Sequence, residues 1–436
     1  MNPLLRKISR KIPNPILSRL IYLYTSGIKS ALFRKPQFKD EVLQEMAFYV
    51  NQAAPKRLLV DVSHQVYSTQ KSGIPRVVNK IAAALLQTDQ SDFSFEFVMI
   101  LNGELYTARR FTERILSLET GSLGIDEKIE IQRGDQILIL DNAWDKLPSY
   151  LPYFEKVRSF QGKIGTVVND LLPTQHPEWF PKDFLAVFLS TLPLICQWND
   201  ILFCISQTTR KDMAAWVQRN CPQEISRLQL LTFTQGAEIG DTDTQKSPIR
   251  ESLQQFLQNA KAEKACIFVQ VSVIQPRKGQ DYALDAFEKL WSRDKNYRLI
   301  YVGSKGWMAD ELYERILNHP EAGKRFFYTG RASESELVEI LDQSTALISP
   351  SRGEGYGLPV VEAALRGLPV LVSDIPIYHE VVGEGGLFFS LDNTDTLCDC
   401  VCEISQWTDA MRKEKAAKVP VGTWQQGANE LLAGYL

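Results

Sequence analysis

Short apolar runs alternate with longer amphipathic ones along most of the chain. Arg57-Leu58-Leu59-Val60-Asp61-Val62 reads as a buried strand. A polar stretch follows, and Gly73-Ile74-Pro75-Arg76 opens an amphipathic helix with Val77, Val78, Ile81, Ala82, Leu85 and Leu86 on one face. Further strands are predicted over 96–101, 136–140, 164–168 and 201–205, with helices between them, notably 208–220. A second unit begins its strands near Ala265. Strands are predicted there over 266–273, 297–302, 326–329, 346–349, 369–372 and 386–389, with helices over 281–292, 310–318, 335–343, 360–366 and 395–406. Strands alternating with helices predict parallel, doubly wound sheets. The pattern divides the chain into an extension over 1–55, a first unit over 56–240, a second over 241–420 and a closing segment over 421–436. The joint between the units lies in the polar stretch 236–252.

One segment changes the picture from architecture to chemistry. The predicted strand 346–349 runs into Ser349-Pro350-Ser351-Arg352-Gly353-Glu354-Gly355-Tyr356-Gly357-Leu358-Pro359-Val360-Val361-Glu362. The glycines let the backbone approach a ligand. Pro359 suits the first turn of a helix and Gly367 its C-terminal end. The free N–H groups of that helix suit a phosphate, and Glu354 and Glu362 can accept hydrogen bonds from sugar hydroxyls. A second strand end carries Gln275-Pro276-Arg277-Lys278-Gly279. Two adjacent cations there can neutralise a diphosphate, Lys278 as a point charge and Arg277 as a fork.

The pair Glu354 and Glu362, in the setting Glu-Gly-Tyr-Gly-Leu-Pro-Val-Val-Glu-Ala, resembles the signature of retaining glycosyltransferases of family 4, the glycosyl transferases group 1. The resemblance implies an α/β fold of the GT-B type: two facing Rossmann-like doubly wound domains with a C-terminal crossover helix, anchored by an aromatic such as Trp424. It implies that Glu354 contacts the donor sugar near the reacting carbon and that Glu362 binds ribose hydroxyls. The backbone of Gly355, Tyr356, Gly357 and Leu358 would face the diphosphate and the sugar. Lys278, in a stretch similar to the family's Pro-Arg-Lys segment, would bind the donor phosphates with Arg277 beside it, and the region of Arg331 would hold the nucleobase. In the first unit, Gly73 and Arg76 resemble a glycine turn facing phosphate and acceptor. Val168-Asn169-Asp170 resembles a strand end where related enzymes carry His-Asp. Asp170 could accept the hydroxyl proton or orient the acceptor, and Asn169 stands in the histidine's place.

Composition narrows the classes further. Its 436 residues suffice for two or three domains, and a net charge of −3 gives no case for nucleic acid. The seven cysteines lack paired zinc spacing and read as reduced thiols of a cytoplasmic protein. No signal peptide is evident, nor an apolar run of about 18 residues. Residues 1–39 hold nine Lys or Arg and no Asp or Glu, with apolar residues interleaved. Such a segment suits an anionic membrane surface and peripheral attachment. The histidines lack metal-ligand spacing, so neither metal nor cofactor is expected. The expected partners are a nucleotide-sugar and a saccharide or lipid-linked acceptor. Asp61-Val62-Ser63 with Gly73-Ile74-Pro75-Arg76 resembles the branch that assembles O-antigen and other surface polysaccharides, where mannose or rhamnose transfer is common. The rival expectations are a nucleotide-sugar-binding protein without transfer and a sugar-nucleotide epimerase of the same fold.

Overall fold

The computed structural model describes residues 56–68, 73–88, 93–142, 144–238 and 247–436. The basic stretch 1–39 lies outside them, and with it the expectation of membrane attachment.

Among the described residues, seven strands form the first sheet: β1 (Lys56–Asp61), β2 (Phe93–Leu101), β3 (Glu104–Thr107), β4 (Gln136–Ile139), β5 (Ile164–Val168), β6 (Ile201–Cys204) and β7 (Gln229–Thr232). Their order is β3-β2-β1-β4-β5-β6-β7, parallel throughout except for the hairpin partner β3. Six strands form the second: β8 (Cys266–Val271), β9 (Tyr297–Val302), β10 (Phe326–Tyr328), β11 (Ala346–Ser349), β12 (Val370–Ser373) and β13 (Gly386–Phe389). These run in the order β10-β9-β8-β11-β12-β13, all parallel. Both sheets are near-continuous in apolar residues because helices cover both of their faces.

The second core starts earlier than the strand pattern indicates. The helix Glu251–Ala262 buries Leu253, Phe256, Leu257 and Ala260 against the second sheet before β8 begins. The last helix, Trp424–Ala433, returns to the first unit and packs along the helix Ile74–Gln87. Trp424 is buried in the first core as the resemblance implied, against Gly236, where a Cβ would stand 2.5 Å from the indole. Gly236 and Gly422 pair as a parallel bridge, so the chain's two crossings between the units lie side by side. The Tyr435 hydroxyl closes the return by donating to the Ile137 carbonyl at 2.6 Å.

In a doubly wound sheet the strand order reverses at one point, and ligands bind beyond the strand C-termini there. That point lies between β8 and β11 in the second sheet and between β1 and β4 in the first. Topology thus selects the turns after four strands before any side chain is considered.

Candidate active site

The turns after β8 and β11 carry Arg277, Lys278 and Glu354, and the fold brings them into contact. Lys278 Nζ and Glu354 Oε1 form a close ion pair, with side chains only 12% and 10% exposed. Arg277 approaches the other carboxylate oxygen at 3.4 Å and donates to the Gly353 carbonyl at 3.0 Å. The Ser351 hydroxyl donates to Glu354 Oε1 at 2.8 Å. Arg352 locks the two turns together: its N–H donates to the Arg277 carbonyl at 2.7 Å, and its guanidinium holds both oxygens of Asp281 at 3.0 and 2.8 Å.

Burial and charge pull against each other in this group. Burial works to raise the Glu354 carboxyl, yet Lys278 and Arg277 outweigh it and leave the group below the usual carboxylate range. Burial, with Arg277 adding to it, pushes Lys278 down to about 8 despite the attraction of Glu354. Arg277 Nε is buried without a hydrogen-bond partner among the described residues. A buried donor left open beside two cations is a place for an anion to enter.

The helix Leu358–Leu365 starts at Gly357, whose φ of 95° is a left-handed conformation that a side chain would strain. Gly367, at φ 77°, ends that helix with N–H bonds back to its last turn. Glu362, on the same helix, is buried and faces Arg76 of the first unit as an ion pair. Burial pushes its carboxyl up to about 6, against the pull of Arg76. Arg76 follows Gly73, the N-cap of the helix Ile74–Gln87. The two resemblance-based expectations in the first and second units therefore meet across the cleft. Tyr356 and Leu358 both pack against the first core, and Tyr356 against the second as well.

The first unit touches this centre through the turn after β5. A Cβ on Gly355 would stand 2.5 Å from the Asn169 carbonyl oxygen, so only glycine permits this approach. Asp170, the next residue, accepts from the Leu172 N–H at 3.1 Å. Burial raises its carboxyl, opposed first by Arg277. The ends of β1 and β4 contribute a different group. Asp61 is fully buried and Asp141 nearly so. The hydroxyls of Tyr150 and Ser63 donate to Asp61 Oδ1, while Oδ2 has no hydrogen-bond partner among the described residues. Asp141 accepts from the backbone of His64 and Asn142, each at 2.7 Å, and from Gln65 at 3.0 Å. Burial and the neighbouring Asp141 push Asp61 up to about 7.

Arg331 is not part of this cluster. It follows β10, two strands away from β8, and its side chain is exposed. Its carbonyl accepts from Arg250 at 2.8 Å. Four contributors escaped the motif reading. Ser351 and Arg352 lay within the quoted segment, but nothing in their spacing tells a partner of Glu354 or a brace between the turns from a solvated polar residue. Tyr378 packs its ring against Gly357 and shares a hydrogen bond with Ser349 at 2.5 Å. Glu380 reaches from the second unit to the start of the helix Gln207–Asn220, taking the N–H groups of Gln207 and Thr208 at 2.6 and 2.8 Å.

The second unit is doubly wound and brings a lysine, an arginine and two glutamates to the turns and the helix start at its switch point. Residues 252–413 match the model of the family "Glycosyl transferases group 1", and the chain carries a domain of that family. The serotype-specific mannosyltransferase WbdA of Escherichia coli is 30% identical over 382 residues, covering 86% of this chain and 46% of the relative. The O-antigen chain mannosyltransferase RfbU of Salmonella typhimurium is 31% identical over 153 residues, covering 35% of this chain and 42% of the relative. The chain thus spans less than half the length of WbdA, and with RfbU it shares only a segment. Among solved structures, Anabaena Alr3699/HepE in complex with UDP and glucose superposes with a TM-score of 0.53 at 15% identity, covering 87% of this chain and 95% of that one. An E. coli structure described as trehalose-6-phosphate bound with UDP-2-fluoro glucose gives 0.57 at 13% identity, covering 87% and 98%. These two likenesses bear on the fold, which is GT-B.

Proposed function

We propose that the chain is a retaining glycosyltransferase that moves a hexose, of mannose or rhamnose type, from a nucleotide-sugar to a hydroxyl of a growing surface polysaccharide or lipid-linked oligosaccharide. The observation that carries this reading is the buried Lys278–Glu354 pair at the switch point of the group 1 domain. Relatives described as mannosyltransferases and structural neighbours solved with UDP or UDP-sugars support it.

The donor diphosphate takes the place beside Lys278 and Arg277, next to the start of the helix Leu358–Leu365. Its charge is met by two cations and by a helix end, all held in place before it arrives. Glu354, released from Lys278, turns to the sugar. The C1–O bond breaks with its electron pair leaving on the diphosphate. The negative charge of Glu354 favours the positive charge that develops on the ring. The acceptor oxygen bonds to C1 on the same face, and its proton passes to a diphosphate oxygen. Asp170, close enough to respond to the charges of Arg277, Glu354 and Lys278, orients the acceptor hydroxyl. Glu362 binds the ribose hydroxyls, and Gly355 to Leu358 line the sugar and phosphates.

A panel of UDP-, GDP- and dTDP-sugars, scored for thermal stabilisation and for release of free nucleotide, tests the reading. One donor should stabilise the protein and be turned over in the presence of EDTA. Glu354→Gln should reduce turnover about a thousandfold while nucleotide stabilisation persists. Stabilisation without turnover by the unaltered protein would favour the rival reading of a nucleotide-sugar-binding protein. The absence of both would end both readings.

A further inference from the structure

Trp179 and Trp307 lie in different units, and neither belongs to the group described above. The Trp307 indole N–H donates to the Trp179 carbonyl at 3.0 Å. The Trp307 ring stacks on Phe184 with centroids 6.0 Å apart and an interplanar angle of 24°, and it tilts against Phe180 at 6.0 Å. His176 stacks on Trp179 at 3.9 Å and 11°. The patch adjoins the reaction centre: a Cβ on Gly353, the residue before Glu354, would stand 2.9 Å from Trp179 Cζ3. Yet it is not sealed. Trp307 remains 37% exposed, and Trp179 and His176 are half-buried. A large aromatic surface left open beside a buried charged centre needs a reason.

We propose that His176, Trp179 and Trp307 form the rest on which the acceptor saccharide lies, a subsite assembled only when the two units meet. The proposal builds on the glycosyltransferase reading. The chemistry is complementary. A pyranose presents an apolar C–H face and a rim of hydroxyls, so it suits an aromatic plane flanked by polar groups. The flanking groups are present: Glu178, 3.1 Å from His176 Nδ1, and Lys305, paired with Asp310 on the turn that carries Trp307. The one polar atom of the Trp307 ring is already used by the Trp179 carbonyl, which leaves apolar ring surface facing outward. A saccharide lying there is next to Gly353, the residue before Glu354. The preceding sugars of an extended acceptor, rather than its terminal hydroxyl alone, are what this patch would recognise.

The test measures acceptor KM and kcat with mannose, mannobiose and mannotriose for the unaltered protein, Trp307→Ala and Trp307→Phe, alongside quenching of tryptophan fluorescence by the same sugars. The unaltered protein should show a KM that falls as the acceptor lengthens. Trp307→Ala should raise the mannotriose KM about tenfold and abolish the advantage of length. Stabilisation by the nucleotide should stay within about twofold. Trp307→Phe keeps a ring and loses the N–H, so it should retain most of the advantage. If Phe behaves like Ala, Trp307 serves only to join the units and the proposal fails. It also fails if the advantage of length survives Trp307→Ala. Sedimentation with phosphatidylglycerol vesicles that depends on Trp307 would make the patch a lipid contact and overturn the proposal as well. Quenching is read without turnover. Should no donor be turned over, the transferase reading falls, while absence of quenching in the unaltered protein falls on the subsite alone.

Discussion

The two sheets end in turns built to opposite plans. Beyond β8 and β11, opposite charges are brought together: Lys278 and Arg277 against Glu354, within one unit and shielded from water. Beyond β1 and β4, like charges are brought together. Asp61 and Asp141 are both buried, and the donors around them are hydroxyls, a side-chain amide and backbone N–H groups rather than cations. Under the proposed function the first arrangement exchanges one anion for another, a diphosphate taking over the partners of a carboxylate. The second repels anions and fixes the loops through hydrogen bonds. The same topology therefore gives one half a cluster of paired opposite charges and the other half a buried carboxyl pair. The first unit meets the second beside these turns through a backbone oxygen, that of Asn169, through Asp170, and through Arg76 on Glu362.

The sharpest way to break this contrast is to separate the two halves without touching a charge. Gly355→Val places a Cβ where only 2.5 Å separates it from the Asn169 carbonyl oxygen. Transfer should fall about a hundredfold, since closure around the donor is lost, while nucleotide binding to the second unit changes about threefold or less. Steady-state kinetics beside nucleotide titration checks this. Equal losses in both would mean that the turn is needed for folding of the second unit rather than for its approach to the first.

A smaller effect concerns the charge on Lys278. Its ammonium is lowered to about 8, so it is charged below that pH and neutral above it. Transfer should decline as pH rises through about 8, because the diphosphate loses its counter-charge. Lys278→Arg keeps the charge at every accessible pH and should remove this alkaline limb, at a cost of about tenfold in rate at neutral pH from the changed shape. A limb that survives the substitution belongs to another group.

The smallest effect is expected in the first unit. Asp61 is raised to about 7, above the value of 3.8 it has when unfolded. Its folded form therefore holds the proton more tightly, and the stability it contributes is complete below about 4 and lost as pH rises through about 7. Asp61→Asn cannot ionise. Its Tm should gain a few degrees on that of the unaltered protein between about pH 5 and 8, with little effect on nucleotide affinity. A melting series across that range checks it, and a constant difference in Tm would sink the assignment.

Much of the fold was legible because buried parallel strands announce themselves. The predicted strands 164–168, 297–302, 346–349 and 386–389 coincide with β5, β9, β11 and β13. β3 escaped, although its signal was present: Asn102 and Gly103 take φ of 52° and 80°, the two-residue hairpin turn that Asn-Gly favours. β7 escaped for a different reason, since Gln229-Leu230-Leu231-Thr232 is short and lies at the sheet edge, where no alternation builds up. The helix Lys182–Trp198 was hard to read because apolar residues run all round it and Pro193, a residue that usually ends a helix, lies inside it. Of the candidate site, Glu354, Lys278 and Arg277 were readable from strand ends followed by glycine or adjacent cations. Arg331 was placed by likeness of position only, and the fold leaves its side chain exposed.

The sequence by itself determined the two doubly wound units, their strand-end turns and the charged residues those turns carry. All of this follows from periodicity and turn chemistry, which act over a few residues. Only the tertiary structure decided which groups meet: Lys278 with Glu354, Arg76 with Glu362, Asp61 beside Asp141, and the Trp307 N–H with the Trp179 carbonyl. Coulombic and hydrogen-bond energies depend on separation and burial, and spacing along a chain specifies neither until the sheets have formed and closed on each other.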